Sequence, residues 1–197
     1  MKNNLEDVIK SNAQKYYTDA SQAMSDEVFD AVVDKVKEEN PESDVLKTGW
    51  GYEVNKDNKI KHRYGHMGSL TKVRTSSEVI NKLKLENGIN NITISAKLDG
   101  MSVVLYYING NLNLALTRGD GEYGIDITNK VKYLIGDSID DKSFTGAVRG
   151  EIMMTVEQFK EYQARHPEAK NHRNSAIGLI NGDEITEDYK YLTLAVY

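Results

Sequence analysis

The sequence has no cysteine, and it is poor in proline and in long apolar runs. Its 197 residues include no cysteine and only two prolines. Without cysteine there is no disulfide framework and no thiolate zinc site, which indicates a reducing compartment. The longest apolar run spans about six residues, 103 to 108, whereas a membrane-spanning helix needs about 20. The N-terminal stretch MKNNLEDVIK has no apolar core of a signal peptide. We therefore expect a soluble, cytoplasmic protein with no membrane partner.

An excess of positive charge is also missing. The chain has 25 Lys and Arg residues against 30 Asp and Glu residues, a net charge of −5. Binding nucleic acid over a whole surface requires many cations to neutralise phosphates. Any contact with nucleic acid is therefore expected at a local patch or on another chain. The four histidines are expected at the surface or in loops, and none is assigned to a metal: His62, His66, His166 and His172.

Hydrophobic periodicity predicts that the first part of the chain is helical. Apolar residues follow helical spacing over 4–17, and a second helix is expected after Ser25, whose hydroxyl is a good N-cap. Residues 42–66 show no periodicity and indicate a linker with the domain boundary inside it. A third amphipathic helix is predicted over 75–85, with three apolar side chains facing inward: Val79, Ile80 and Leu83.

From residue 91 the apolar period changes to two, which is typical of a strand. In a strand that begins at residue 91, Lys97 and Asp99 share the polar face, and Gly100 then permits a tight turn. The dipeptide Asn109-Gly110 predicts a hairpin. A two-residue loop there sets a register in which Met101 opposes Arg118, so that Arg118 is expected beside Lys97 and Asp99.

The last third of the chain predicts two more strands and two helices. A strand over 146–153 places Ala147, Arg149 and Glu151 on one face. Thr155 is expected to begin a helix with a capping box, because a glutamine follows three residues later. A short helix over 173–180 and a strand over 191–196 complete the prediction.

The charged residues predicted at one end of the sheet suggest group-transfer chemistry. A nucleophilic lysine must lose its proton, and a neighbouring cation such as Arg118 lowers the pKa of Lys97. Carboxylates such as Asp99 and Glu151 can hold a divalent metal or a ribose hydroxyl. A salt-bridged sheet face is the alternative interpretation, and the spacing of the residues leaves both open.

A family resemblance favours the first interpretation. Lys97-Leu98-Asp99-Gly100 resembles the Lys-x-Asp-Gly motif of covalent nucleotidyl transferases, whose lysine accepts a nucleotide. Three further motifs follow in order, at 117–121, 148–151 and 171–178, with sequences Thr-Arg-Gly-Asp-Gly, Val-Arg-Gly-Glu and Asn-His-Arg-Asn-Ser-Ala-Ile-Gly. The ordered series is similar to that of the NAD-dependent DNA ligases.

The N-terminal part carries its own share of the resemblance. Tyr16-Tyr17 and the stretch 25–30, Ser-Asp-Glu-Val-Phe-Asp, resemble the small helical domain with which these ligases recognise the nicotinamide mononucleotide half of NAD. The stretch 66–70, His-Met-Gly-Ser-Leu, is similar to a family segment near the adenine. The resemblance therefore spans nearly the whole chain.

The resemblance implies an α+β fold with two domains. Residues 1–55 would form the helical nicotinamide mononucleotide-recognition domain and linker. Residues 56–197 would form the front part of an antiparallel-sheet nucleotidyltransferase domain of the ATP-grasp-like ligase type. The Asp-Gly-x-x-x-Lys block of the family is absent, so we expect an incomplete domain that needs a C-terminal continuation or a second ligase subunit.

The resemblance also implies the reaction. Lys97 would attack the α-phosphorus of NAD, release nicotinamide mononucleotide and become a lysine-AMP adduct. Asp99 and Glu151 would complete the catalytic set, with magnesium as a cofactor. The complete enzyme would use the AMP to seal nicked double-stranded DNA in replication and repair. The residues implied to bind NAD are Tyr16, Tyr17, Asp26, Phe29, Asp30, Ser69, Leu70, Lys97, Leu98, Gly100, Arg118, Glu151 and Arg173.

Substitutions within the motifs motivate a second hypothesis. Phe29, Ser95 and Asn181 stand where the family usually has tyrosine, glutamate and arginine. They favour a non-catalytic NAD-binding or interaction module derived from such a ligase. A third alternative is an RNA-directed ligase or capping-type transferase. The N-terminal unit argues against that alternative, because those enzymes use nucleoside triphosphates.

Overall fold

The computed structural model combines helices with two antiparallel sheets, and it describes residues 5–18, 24, 26–47, 59–68, 73–85 and 94–197. This mixture confirms the predicted α+β class. In chain order the elements are α1 (Leu5–Thr18), α2 (Asp26–Glu39), α3 (Asp44–Lys47), β1 (Lys59–Lys61), α4 (Ser76–Leu85), β2 (Met101–Ile108), β3 (Asn111–Thr117), β4 (Tyr123–Ile125), α5 (Thr128–Ile135), β5 (Gly146–Met153), α6 (Val156–Arg165), α7 (His172–Asn181), a 3₁₀ helix (Glu187–Tyr191) and β6 (Thr193–Val196).

Helices α1, α2 and α3 bury a small apolar core of their own. Its fully buried members are Ile9, Val33, Val36 and Val45. The side chain of Asn12 is also buried, and its Oδ1 accepts a hydrogen bond from the backbone N–H of Met24 at 2.7 Å. The prediction that 42–66 is an unstructured linker is wrong at α3 and β1. Both elements are too short, at four and three residues, to show a hydrophobic period.

The larger sheet has the strand order β3-β2-β5-β6, with every neighbouring pair antiparallel. One face carries the main core, in which Val103, Leu105 and Ile152 pack with residues from α5 and α7. The other face carries a smaller apolar cluster that includes Val104 and Tyr106. Alternation along the strands therefore sends successive residues to two different environments.

The hairpin between β2 and β3 forms at the predicted turn. Asn109 and Gly110 both have positive φ, at 50° and 70°, as this type of two-residue turn requires. Ile108 opposes Asn111, as predicted, but the register then shifts between Tyr106 and Tyr107 and leaves one extra residue on β3. This β-bulge changes the partner of every later residue in the strand.

The predicted pairing of Met101 with Arg118 is therefore wrong. Beyond the bulge the backbone N–H of Arg118 donates to the carbonyl of Ser102 at 2.9 Å, one position away from the predicted partner. Residues directly opposite each other share a face, so a shift of one residue moves a side chain to the opposite face. Arg118 thereby lies on the face away from the main core.

Two expectations about local structure fail. Residues 94–98 are not a strand, and Ile94 is 91% exposed, because the segment pairs with no strand among the described residues. Helix α4 forms where it was predicted, but Val79 and Ile80 remain 41% and 49% exposed. The predicted inward face of α4 is thus largely open to solvent in the part of the chain that the structure describes.

The elements after β5 follow the prediction closely. Thr155 and Gln158 form the expected capping box at the start of α6. Helix α7 begins after Asn171, whose side chain accepts a hydrogen bond from the N–H of Asn174. The last strand begins at Thr193, two residues later than predicted, because Tyr191 ends a 3₁₀ helix.

Replacing Gly110 with alanine should destabilise the fold. A Cβ atom there would lie 2.6 Å from the backbone oxygen of Asp141, at a φ of +70°. Strain of this kind costs about 1–3 kcal/mol, so we expect a lower free energy of unfolding in urea. Gly178→Ala is the matched control: its site in α7 is open, and helix propensity predicts a gain of up to about 1 kcal/mol. Equal losses in both variants would contradict this explanation.

Candidate active site

Gly100 fastens the Lys97-Asp99 segment to strand β5. Its backbone N–H donates to Oε1 of Glu151 at 3.0 Å, and its carbonyl accepts from Nε of Arg173 at 3.2 Å. A Cβ atom at this position would lie 2.2 Å from the backbone oxygen of Ile152. Only glycine allows the segment to pass this close to β5.

The Asp99 side chain contacts the first two residues of helix α7. Its Oδ1 is 3.0 Å from Nε of Arg173, and its Oδ2 is 4.0 Å from Nε2 of His172. The Arg173 side chain is mostly buried, and burial lowers the pKa of its guanidinium. Because half of the Asp99 side chain is exposed, this ion pair adds little to stability. Its effect is to orient Arg173 toward the Asp99-Gly100 backbone.

The bulge in β3 aligns three polar residues across the sheet. Arg118 bonds to Ser102 through the backbone, and Ser102 is the direct partner of Glu151 on β5. All three side chains therefore share the face away from the main core. In the register expected without a bulge, Arg118 would share the core face with Met101 and Ile152. The three residues thus lie in a line across the sheet. They run from the glycine-rich loop after β3, residues 118–121, to the Glu151 carboxylate on β5.

Glu151 is the carboxylate at the centre of this arrangement. Burial raises the pKa of the Glu151 carboxyl, and the charge of Asp99 raises it further. The Gly100 N–H bond and the positive charges of Lys97 and Arg118 act in the opposite direction. The net increase in the pKa shows that desolvation outweighs these favourable contacts. A cation or a hydroxyl donor brought by a ligand would therefore stabilise the ionised form.

Lys97 projects from the unpaired segment before β2. Its side chain is exposed, while the neighbouring Leu98 is half-buried. The charge of Lys97 is close enough to Glu151 to lower the pKa of that carboxyl. The structure thus brings together the predicted group of Lys97, Asp99, Gly100, Arg118, Glu151 and Arg173. An exposed amine beside a half-buried carboxylate and two guanidinium groups is suited to a phosphate-bearing substrate.

A strap formed by residues 59–67 closes one side of the glycine-rich loop. Strand β1 pairs with β4, the N–H of His62 donates to the Glu122 carbonyl at 2.9 Å, and the N–H of Met67 donates to the Gly121 carbonyl at 2.7 Å. Gly121 has a φ of +94°, and a Cβ atom there would lie 2.5 Å from the His66 ring. The loop therefore needs glycine at this position for both its conformation and its packing.

His62 lies in the loop after β1, in agreement with the expectation of surface or loop histidines, but its side chain is buried. Its side chain is 4% exposed. One ring nitrogen lies 2.8 Å from the hydroxyl of Tyr106, and the other lies 3.1 Å from the carbonyl of Arg118. No sequence pattern indicates that His62 contacts Arg118. Its partners are 44 and 56 positions away, so no local pattern marks it.

Two residues of the predicted nicotinamide side are described. Phe29 packs against the core of the three N-terminal helices. Asp30 lies 3.4 Å from the Arg74 guanidinium, which also contacts Asp34 at 2.7 Å. The remaining predicted contacts lie outside the described side chains: Tyr16, Tyr17, Asp26, Ser69 and Leu70.

The described residues do not form a preassembled metal cluster. None of the groups of three or more His, Asp or Glu side chains needed for such a site occurs among them. Asp99 and Glu151 are the two carboxylates at the site, and Gly100 already occupies one oxygen of Glu151. Magnesium usually binds one or two carboxylates together with substrate phosphates. The donor set therefore fits magnesium that arrives with a phosphate-bearing substrate.

Every helix in the described segments falls short of the length and apolar content of a membrane span.

Comparisons with known proteins agree with the geometry. Residues 54–197 match the family model of the NAD-dependent DNA ligase adenylation domain. The chain is 31% identical over 189 residues to a DNA ligase of Acanthamoeba polyphaga mimivirus, covering 94% of this chain and 28% of that protein. It is 32% identical over 194 residues to a DNA ligase of Borrelia hermsii, covering 89% of this chain and 29% of that protein. A DNA ligase of Treponema pallidum is 30% identical over 185 residues, covering 89% of this chain and 22% of that protein. The chain thus spans less than a third of the length of these relatives.

Replacing Glu151 with glutamine should make the fold more stable at neutral pH. Because the pKa of Glu151 is raised in the folded state, its contribution to stability is fully present below the ordinary glutamate pKa of about 4.3 and is lost as the pH rises through the raised value. Thermal unfolding of both proteins between acidic and neutral pH measures this. We expect the unfolding temperature of Glu151→Gln to increase relative to that of the wild type as the pH rises.

Glu161→Gln is the control for this measurement. Glu161 is an exposed glutamate on α6, outside the site. It should show no pH-dependent gain over the wild type. A midpoint for Glu151→Gln that stays below that of the wild type at neutral pH would show that ionised Glu151 stabilises the fold.

Proposed function

The chain belongs to the NAD-dependent DNA ligase family, and from this premise we propose that it performs the adenylation step of DNA ligation. Lys97 is the nucleophile of the proposed reaction, and NAD is the substrate. The observation that carries the proposal is the position of the lysine segment. Gly100 holds it between Glu151 and Arg173, with hydrogen bonds of 3.0 and 3.2 Å.

The proposed step exchanges one bond at phosphorus for another. The lone pair of the Lys97 Nζ forms a P–N bond to the α-phosphorus of NAD, and the P–O bond to nicotinamide mononucleotide breaks. The leaving phosphate keeps the electron pair, and the lysine releases its protons to solvent. The product is AMP joined to Lys97. An exposed amine suits this role because both the substrate and the departing nucleotide need access to it.

Neighbouring side chains would position the nucleotide and balance its charge. Arg118 and Glu151 lie on one face of the sheet, where a guanidinium can contact phosphate and a carboxylate can accept a ribose hydroxyl. Arg173 is held beside the lysine segment, where its guanidinium can contact phosphate. Asp99 orients Arg173 and, with Glu151, would hold magnesium bound to the substrate phosphates. Magnesium supplies additional positive charge at the reacting phosphate when it is bound.

The proposal assigns two domains. Residues 1–55 would recognise the nicotinamide mononucleotide half of NAD through Tyr16, Tyr17, Asp26, Phe29 and Asp30. Residues 56–197 would form the front part of the adenylation domain, with Ser69 and Leu70 near the adenine. The separate apolar core of α1, α2 and α3 supports an N-terminal unit that is distinct from the main sheet.

The later steps would need additional protein. Nick sealing transfers AMP to a DNA 5′-phosphate before the 3′-hydroxyl attacks, and this requires a grip on nicked double-stranded DNA. The acidic net charge of −5 makes such a grip by this chain alone unfavourable. We therefore assign DNA binding to a C-terminal continuation or a second ligase subunit. DNA replication and repair in the cytoplasm would be the setting of the complete enzyme.

Incubation with NAD and magnesium should add one AMP to the chain at Lys97. Intact-mass measurement of the purified protein detects the adduct, and peptide mapping locates it. Lys97→Ala should show no adduct, because alanine has no nucleophile. Lys160→Ala, which removes an exposed lysine on α6, should react as the wild type does.

Two other outcomes have definite meanings. If an adduct forms only after the remaining ligase segments are added, the chain works as one part of a split enzyme. If NAD binds but no adduct forms under either condition, the proposed activity is wrong and a non-catalytic NAD-binding module is the better description.

Asp30→Asn should weaken the binding of NAD to the N-terminal unit. A hydrogen bond to a charged group contributes about 1.5–3 kcal/mol, so we expect the KM for NAD to rise about ten-fold or more. The rate of adduct formation at saturating NAD should change little, because Asp30 would contact the departing nucleotide and not the reacting phosphate.

Asp34→Asn is the matched control for this variant. Asp34 shares the Arg74 guanidinium with Asp30 and lies one helical turn further along α2. Its KM for NAD should stay within about two-fold of the wild-type value. Equal increases in both variants would mean that the Arg74 ion pair, and not a contact with the nucleotide, causes the loss.

A further inference from the structure

A buried hydrogen-bonded chain connects the strap to the end of β3. The backbone N–H of Arg63 donates to the Tyr106 hydroxyl at 3.3 Å, the hydroxyl contacts Nδ1 of His62 at 2.8 Å, and Nε2 of His62 contacts the Arg118 carbonyl at 3.1 Å. The His62 and Tyr106 side chains are almost completely buried. Buried polar groups with full sets of partners specify one arrangement of the surrounding chain.

The hydrogen-bond partners of His62 determine which tautomer its neutral ring adopts. A carbonyl oxygen can only accept, so Nε2 must carry a proton and donate to Arg118. In the neutral imidazole, Nδ1 then accepts from the Tyr106 hydroxyl. Burial lowers the pKa of His62, in agreement with a neutral ring. The two charges that face it act in opposite directions, since Asp120 raises this pKa and Arg149 lowers it.

The His62 bond fixes the backbone of Arg118 from a second side. The N–H of Arg118 already donates to Ser102 at 2.9 Å, and its carbonyl also accepts from Gly121 at 3.0 Å. Residue 118 is therefore held by β2, by its own loop and by the strap. It is the last residue before Gly119, whose φ of +56° turns the chain away from the sheet. Without the His62 bond, the strap would lose its side-chain hold on this corner.

We propose that His62 is a positioning residue that holds Arg118 in place for the reaction at Lys97. The hydrogen bond from Nε2 fixes the Arg118 carbonyl, and Tyr106 selects the tautomer that donates it. The guanidinium of Arg118 is thereby kept on the same sheet face as Glu151. This inference rests on the proposed function, because it assigns Arg118 to the nucleotide.

Two conservative substitutions of His62 distinguish the hydrogen bond at Nε2 from the hydrogen bond at Nδ1. Glutamine places an amide near the position of Nε2 and can still donate to the Arg118 carbonyl. Asparagine places its amide near Nδ1 and can still accept from Tyr106, but it cannot reach the carbonyl. The measurement is the single-turnover rate of AMP adduct formation at saturating NAD. We expect about a ten-fold loss for His62→Asn and a loss within three-fold for His62→Gln.

A double-mutant cycle shows whether the effect passes through Arg118. In an Arg118→Ala background, His62→Asn and His62→Gln should react at the same rate, because the group being positioned is absent. His166→Asn is the control: His166 contacts Asp188 and stacks on Tyr162 of α6, so its loss should leave the rate unchanged. An equal loss for His62→Asn in both backgrounds, or no rescue by glutamine, would overturn the proposal.

A second measurement tests the inference without any reaction. Ring ¹⁵N NMR of the wild-type chain should show His62 as the neutral Nε2–H tautomer. Amide hydrogen exchange at Gly121 should be faster in His62→Asn than in His62→Gln, because the Arg118 carbonyl has lost one of its two donors. If the wild type forms no AMP adduct, the proposed function fails and these two readouts alone decide the role of His62. An Nδ1–H tautomer, or equal exchange in both variants, would reject it.

Discussion

The candidate site depends above all on how the two peptide groups of Gly100 are held. One bonds to Glu151 on β5 and the other to Arg173 on α7. Within the described part of the chain, residues 94–99 pair with no strand, and these bonds attach the lysine segment to the folded domain. A side chain larger than hydrogen would push the segment away from β5. The position of Lys97 is thus set by its backbone neighbours and by α7, while its own side chain stays accessible.

This arrangement makes ionisation of the Glu151 carboxyl less favourable than in water. Its carboxylate is partly removed from water, and burial opposes ionisation more strongly than the nearby cations favour it. A neutral side chain at this position would avoid the free-energy cost of partly burying a charge. An unfavourable local arrangement of this kind persists only where the surrounding fold maintains it. Here the maintaining elements are the sheet on one side and the Gly100 turn on the other.

The strap and the glycine-rich loop make a second set of constraints. The loop needs Gly119 and Gly121 to turn with positive φ, and glycine has many accessible conformations when unfolded. Backbone bonds from the strap, together with the buried His62 and Tyr106 pair, remove that freedom. The corner that carries Arg118 is therefore ordered by residues distant in sequence, while Arg118 itself lies on the face of the sheet away from the main core.

The sequence alone determined the local elements and the identity of the chemical groups. Helical periodicity, the Asn109-Gly110 turn, the capping box at Thr155 and the Lys97-Asp99 motif are encoded within a few neighbouring residues, so they could be predicted. Tertiary structure decided the rest. The bulge in β3 reversed the expected face of Arg118, and His62 was buried by partners 44 and 56 positions away. Residues 94–98 pair with no strand in the segments that the structure describes. Each of these outcomes depends on contacts between distant segments, and a local pattern carries no information about which segments will meet.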